Sequence, residues 1–215
     1  MENSARVLGV LSGGDIDFVL LERWARSADR VYAADAGADL LMRVGAIPHL
    51  VLGDMDSISG EALKFFANTE HSVDQDTTDC EKLLARVASD GYHSVTLIGV
   101  EGDLPDHVLA TLHAAASFDL DIRLAYRKGI GYIVKPEFPR ILPTSPGRRV
   151  SLLPLEICHG ASLQGVRWDL TDSALGPRGS KSISNAATGA EIRAQISSGA
   201  ALLFVEMSPE EIPIW

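Results

Sequence analysis

The chain has 215 residues, with 19 Lys and Arg against 29 Asp and Glu, a net charge of −10, and hydrophobic and charged fractions of 46% and 22%. These values suit a soluble globular protein of one large or two modest domains. They offer no basic stripe for nucleic acid and no apolar run near the roughly 18 residues of a membrane span, so neither partner is expected. The two cysteines, Cys80 and Cys158, lack metal-type spacing, and the start (MENSARVLGV) lacks a signal-peptide shape, which fits a reduced, cytoplasmic setting.

Residues 6–12 (RVLGVLS) read as a buried strand running into the turn Ser12-Gly13-Gly14-Asp15. Phe18, Leu21, Trp24 and Ala25 then recur at helical spacing. Strand Arg30–Ala34 ends at Asp35-Ala36-Gly37-Ala38-Asp39, Leu40, Leu41 and Val44 mark a second helix, and strand His49–Leu52 leads into Gly53-Asp54. The spacing predicts a helix over 60–69, a brief strand near Ser72-Val73, a helix from about Thr78 to Ser89, strand Ser94–Val100, a helix over Asp106–Phe118 and strand Ile122–Tyr126. Such alternation predicts a mainly parallel, Rossmann-like sheet covered on both faces. Ligands then bind outside the carboxyl ends of the strands, where Gly13–Asp15, Asp35–Asp39, Gly53–Ser57 and Gly102–His107 all fall.

Prolines 136, 139, 143 and 146 with Gly147 mark a boundary, so an α/β domain over 1–135 and a second domain over 136–215 are expected. The second holds short runs at 150–154, 161–163, 166–170, 181–184, 191–196 and 201–207, with no helix-length pattern between them. This reads as an antiparallel β-sandwich or barrel. The acidic excess belongs to the first domain, which has 12 basic residues against 21 acidic ones.

Five aspartates crowd the stretch from Gly53 to Lys82, in GDMDSI (Asp54, Asp56) and DQDTTDCEK (Asp74, Asp76, Asp79). Two Asp-x-Asp groups that converge make a hard-oxygen site suited to Mg²⁺ carrying a phosphate chain. The second group opens a helix, whose N-terminus favours anions. Asp54 and Asp56 follow a buried strand and are the first choice for metal ligation, against the alternative of a solvated Asx turn. Thr78 with Glu81 has the form of a capping box, so Thr78 is either a cap or a site residue. Lys82 and Arg86, one turn apart, either point at phosphates or form a solvated face. Asp35 and Asp106 are expected in the same crevice, His107 is read as a structural hydrogen-bonder or a proton-transfer aid, and Trp168 as sandwich core.

GDMDSI and DQDTTDCEK resemble the thiamine pyrophosphokinases, whose sequences read close to G-D-[FM]-D-S-I and D-Q-D-x-T-D-F-x-K. ADAGA (34–38), Asp106-His107, SLLPL (151–155), GVRWDL (165–170) and SISN (182–185) extend the resemblance over nearly the whole chain. The resemblance implies transfer of a diphosphoryl group from ATP to the hydroxyl of thiamine, releasing AMP, with Mg²⁺ held by Asp54, Asp56 and Asp79. It implies roles for Asp106 in catalysis, Gln75 on the pyrimidine, and Ser184 and Asn185 in the thiamine pocket, as well as a β-sandwich that binds thiamine and joins a homodimer with sites between subunits. Two positions depart from the pattern. Leu104 stands where the family usually has an arginine, and Phe204 where it often has a tryptophan over the thiamine rings; a phenyl ring still attracts the cationic thiazolium, though less strongly. Rival readings are a diphosphokinase for another hydroxymethyl heterocycle such as a pterin, a non-catalytic nucleotide or thiamine diphosphate sensor, and a Mg²⁺-dependent phosphohydrolase.

Overall fold

The first apolar run, Val7–Val10, is buried along its whole length and forms β1. The computed structural model describes residues 5–72, 74 and 76–215. Its contacts divide the chain into Met1–Arg127 with Pro209–Trp215, and Lys128–Ser208.

In the first unit α1 (Phe18–Ser27), β2 (Arg30–Ala34), α2 (Gly37–Arg43), β3 (Leu50–Gly53), α3 (Gly60–Phe65), β4 (Thr69–His71), α4 (Asp79–Ser89), β5 (Ser94–Ile98), α5 (Pro105–Ser117) and β6 (Asp121–Tyr126) follow β1 in strict alternation. The strands lie in the order β6-β5-β1-β2-β3-β4, and every adjacent pair is parallel. The predicted parallel sheet is therefore present. The brief strand comes earlier than expected, at Thr69–His71, where it pairs with the end of β3. The helix before it stops at Phe65, because the chain must turn extended to reach that edge.

Local chemistry sets the helix ends. Asp17 caps α1 by accepting from the Leu20 amide at 2.9 Å, and Ser59 caps α3 through the Ala62 amide. Leu20, Leu21, Trp24 and Ala25 bury one face of α1. Burial at about 25 cal/mol per Å² makes each leucine worth roughly 1.5–3 kcal/mol. Phe18, expected on that face, instead remains 39% exposed beside the Arg43 guanidinium, because it sits at the very first helical position. The last residues return to the same helix. Trp215 meets Trp24 edge-on at 4.5 Å between ring centroids and donates its indole N–H to Ser27 Oγ at 2.8 Å.

The second unit is all β among the described residues. β7 (Gly129–Val134), β9 (Arg149–Pro154), β12 (Ser182–Ala186) and β14 (Ala201–Glu206) form one antiparallel sheet in the order β12-β9-β14-β7. β8 (Arg140–Pro143), β10 (Cys158–Gln164), β11 (Leu170–Leu175) and β13 (Glu191–Gln195) form the other, ordered β11-β10-β13-β8. The expected antiparallel sandwich is thus found, with Val150, Leu152, Leu163, Ile192, Leu203 and Val205 in its core.

Three local readings change here. The proline-rich stretch contains strand β8, which tolerates Pro143 because it lies at a sheet edge, where a missing N–H leaves no ladder bond unmade. The units divide after Arg127, where composition suggested 135, because β7 pairs along its whole length with β14. The run 166–170 is mostly a turn, and the strand begins at Leu170.

Candidate active site

In the first unit, the connection leaving β1 goes to β2 on one side, and that leaving β5 goes to β6 on the other. Adjacent strands with opposed connections open a crevice at their carboxyl ends. A cavity of about 260 Å³ lies there, lined by residues that follow β1, β2, β3 and β5 and by the starts of α4 and α5. Its wall depends on close backbone approach. A Cβ at Gly13 would lie 2.2 Å from the Gly99 carbonyl oxygen and 2.3 Å from that of Glu101, so only glycine lets the first and fifth loops touch.

The GDMDSI loop is built from a neighbouring strand end. Asp35, buried and at φ 44°, follows β2 and accepts the Ser57 and Ile58 amides at 3.1 and 3.0 Å. Asp54 Oδ1 accepts from the Asp56 amide at 3.3 Å across Met55, whose φ is 63°. The result brings one carboxylate oxygen each from Asp35, Asp54 and Asp56 within 4.8 Å of one another. Exposure rises along that series, from buried through half-buried to exposed. Burial pushes the Asp35 carboxyl above its usual value; the Ser57 amide opposes the shift and the nearby Asp79 charge adds to it. Like charges this close, with hard oxygen donors, fit a divalent cation such as Mg²⁺.

Asp79 approaches the cluster from α4. A Cβ at Gly53 (φ 147°) would fall 3.1 Å from Asp35 Cβ and 3.3 Å from Asp79 Oδ1, so the absent side chain at Gly53 is what lets the two acids come close. Asp79 also holds Lys82, with Nζ 3.2 Å from its Oδ1. Thr78 is the cap of α4. It completes the capping box, accepting the Glu81 amide at 3.2 Å while Glu81 Oε2 accepts the Thr78 amide at 2.7 Å, and it lines the cavity. Cys80 lines it too, but burial pushes its thiol up to about 12, which leaves no thiolate nucleophile at neutral pH.

Several expected residues stand elsewhere. Asp74 and Asp76 are exposed and outside the carboxylate cluster, so the two Asp-x-Asp groups do not converge; Asp35 supplies the third carboxylate. Arg86 turns away from the cavity to Glu70 and Asp90, and Asp90 also accepts the Tyr32 hydroxyl at 2.5 Å. Asp106 is exposed and does not line the cavity, whereas Asp103 and His107 do. The signal for them was their spacing: His107 and Thr111 lie one turn apart on α5, and Asp103 stands four residues before His107, just ahead of the helix. Leu104 precedes the helix and is 61% exposed. Gln75 lies outside the described residues.

The second unit holds the remaining expected residues. Asn185, 2% exposed, is fully used by the chain. Its oxygen accepts the Trp168 and Ala186 amides at 3.1 and 2.9 Å, and its NH₂ donates to the Trp168 carbonyl at 2.8 Å and Ser182 Oγ at 3.0 Å. It therefore clasps the turn that carries Trp168. That tryptophan is 57% exposed with Arg167 stacked at 4.9 Å, and so lies outside the core expected for it, because the clasp holds its backbone at the surface. Ser184 is exposed at φ 57°, and its hydroxyl meets the Arg149 guanidinium at 3.0 Å. Phe204 is half-buried on β14, opposite Gly131 on one neighbouring strand and Ser151 on the other.

A parallel α/β unit with a carboxylate-lined cleft at its switch point, followed by an antiparallel sandwich, defines the class: an α/β protein with a candidate metal cleft and a second, all-β domain. Comparison makes the class specific. The family model "Thiamin pyrophosphokinase, catalytic domain" matches residues 21–125, and "Thiamin pyrophosphokinase, vitamin B1 binding domain" matches 140–203. The chain belongs to the thiamin pyrophosphokinase family.

Similar solved structures include thiamin pyrophosphokinase from Candida albicans (TM-score 0.79, 15% identity, 95% of this chain and 89% of that one). The Bacillus subtilis thiamine pyrophosphokinase aligns at TM-score 0.77 and 18% identity over 94% and 99% of the two chains. An Enterococcus faecalis family protein aligns at 0.76 and 20% over 95% and 100%. At these identities the likeness speaks for the fold. No curated protein sequence matches the chain.

Proposed function

We propose that the chain is an ATP-dependent thiamine diphosphokinase whose cleft in the first unit binds ATP with Mg²⁺. The observation that carries this reading is the meeting of Asp35, Asp54 and Asp56 within 4.8 Å beside the N-terminus of α4. Asp54 and Asp56 would hold the metal, with Asp35 and Asp79 behind them. A bound Mg²⁺ supplies charge neutralisation at phosphate oxygens. The chain's own groups do the rest. The first turn of α4 offers N–H groups to a phosphate, Asp79 fixes the Lys82 ammonium at 3.2 Å, and the inert Cys80 thiol supports direct transfer without a covalent enzyme intermediate.

In that transfer the hydroxyl oxygen of thiamine bonds to the β-phosphorus in line, the bond from β-phosphorus to the oxygen shared with the α-phosphate breaks, and AMP leaves while the β- and γ-phosphates go to thiamine. The hydroxyl proton passes to solvent or to a nearby carboxylate. Phe204 is the ring proposed to cover thiamine and Ser184 a polar contact. Asn185, its hydrogen bonds spent, supports the pocket by holding the 165–169 turn. A homodimer with shared sites follows from the family resemblance. The free, buried thiols of Cys80 and Cys158 favour a reducing, cytoplasmic setting. No helix among the described residues is long and apolar enough to cross a membrane.

The test is AMP release from Mg²⁺-ATP by the purified protein, with and without thiamine. Thiamine-dependent AMP together with thiamine diphosphate is the expected result. AMP only with a different hydroxymethyl heterocycle, or ligand binding without AMP, overturns it.

A further inference from the structure

Carboxylates dominate the cleft. Asp35, Asp54, Asp79 and Asp103 line it, and the basic side chains lining it among the described residues are Lys82 and His107. Lys82 is committed to Asp79, and its side chain is only 9% exposed. His107 stands differently. Its Nδ1 lies 3.1 Å from Asp103 Oδ2, while its side chain is 61% exposed. Asp103 is itself anchored, because its Oδ1 accepts the Leu104 amide at 2.7 Å just before α5 begins. One carboxylate thus fixes one ring nitrogen and leaves Nε2 as the second donor of the protonated ring.

Resting on the reading that this cleft binds ATP, we propose that the Asp103–His107 pair is a phosphate-binding device, in which the imidazolium donates from Nε2 to a phosphate oxygen of the nucleotide. Nucleotide affinity then falls as His107 loses its proton. The charged groups around the ring all act on that proton. The hydrogen bond to Asp103 raises the His107 pKa above 6.5 most, Asp103's charge adds to it, burial opposes it, and Asp106 on the same helix and Asp79 on α4 raise it further. Among the described residues, Lys82 on α4 is the cation lining the same cavity, and it is paired with Asp79. The sign is therefore fixed. The charged form persists to a higher pH than in a free histidine, and the contribution disappears as pH rises through the folded-state value.

The experiment measures binding of a non-hydrolysable ATP analogue with Mg²⁺ across pH 6–9, and the His107 titration by NMR with and without that ligand. The ligand's own terminal phosphate titrates in part of this range, so wild type and variant are compared at each pH. His107→Gln is expected to bind roughly tenfold more weakly near pH 6.5 and to match wild type at high pH, the size of one charge-assisted hydrogen bond. By linkage the ligand should raise the wild-type His107 pKa by about one unit. Asp103→Asn, which keeps the ring but removes its anion, should move the pH inflection downward. Equal affinity of His107→Gln at every pH, or a His107 titration indifferent to ligand, overturns the inference alone. Failure of the wild type to bind the nucleotide overturns the ATP reading along with it.

Discussion

Two short segments of this chain share one signature, Asp-x-Asp followed by a hydroxyl residue, and the structure uses them in opposite ways. In both, the first aspartate accepts the amide of the second, at 3.3 Å for Asp54–Asp56 and 2.9 Å for Asp74–Asp76. In the first, the buried Asp35 from the end of β2 pulls the following amides inward and joins the two acids in one cluster. In the second, the interactions close on themselves. Thr77 Oγ1 donates to Asp74 Oδ2 at 2.6 Å, and the acids remain exposed. An Asp-x-Asp turn thus becomes a candidate ligand site where a third carboxylate from another strand stands against it.

The largest expected effect tests that contrast in activity. Asp54→Asn and Asp56→Asn should each lower thiamine-dependent AMP release by roughly two to three orders of magnitude, the several kcal/mol that a metal's charge stabilisation supplies. Asp74→Asn and Asp76→Asn should stay within about twofold, as surface changes do. A comparable loss in both pairs would break the contrast and return the second group to the site.

The next effect is on stability. Asp35→Ala strands the Ser57 amide and the buried Ile58 amide, which should cost about 1–3 kcal/mol in chemical denaturation. Asp74→Ala should cost under about 0.5 kcal/mol. Asp35→Asn serves as a control for backbone strain, because asparagine tolerates the φ of 44° that alanine resists.

Much of this arrangement was legible in the sequence where the cause is local. Thr78 and Glu81 sit three residues apart and form the capping box that spacing announced. Strand Arg30–Ala34 has the predicted limits, because an apolar run between turn residues has few other options in a parallel sheet. What sequence did not carry is decided by partners distant along the chain. The strut role of Asp35 needs Ser57 and Ile58, more than twenty residues on. The resemblance alone assigns Asn185 to the thiamine pocket, and nothing near it in sequence announces that Trp168 takes up its amide. Strands β7 and β8 carry glycines and prolines that argue against strands in isolation, and ladder pairing with β14 and β13 overrides them. Asp103 and Asp106 differ because Asp103 stands before the helix, held to the Leu104 amide and His107, whereas Asp106 sits in the first turn of α5 that Pro105 begins.

The smallest effect is also the most direct reading of the two environments. In metal-free protein, carboxyl NMR should find Asp35 titrating above the usual 3.8 of an aspartate and Asp74 below it. Burial drives the first; for the second the Thr77 hydroxyl leads and the Asp76 amide follows. The signs carry over to stability. The lowered Asp74 stabilises the fold at pH above 3.8, and that contribution is lost as pH falls through its folded midpoint. The raised Asp35 stabilises only when protonated, below 3.8, and that contribution is lost as pH rises through its own midpoint. Thr77→Val should bring Asp74 back towards 3.8 and leave Asp35 unmoved. Should both aspartates titrate on the same side of 3.8, the two turns would share one electrostatic environment, and the separate placement of Asp35 would no longer explain why only the first forms a cluster.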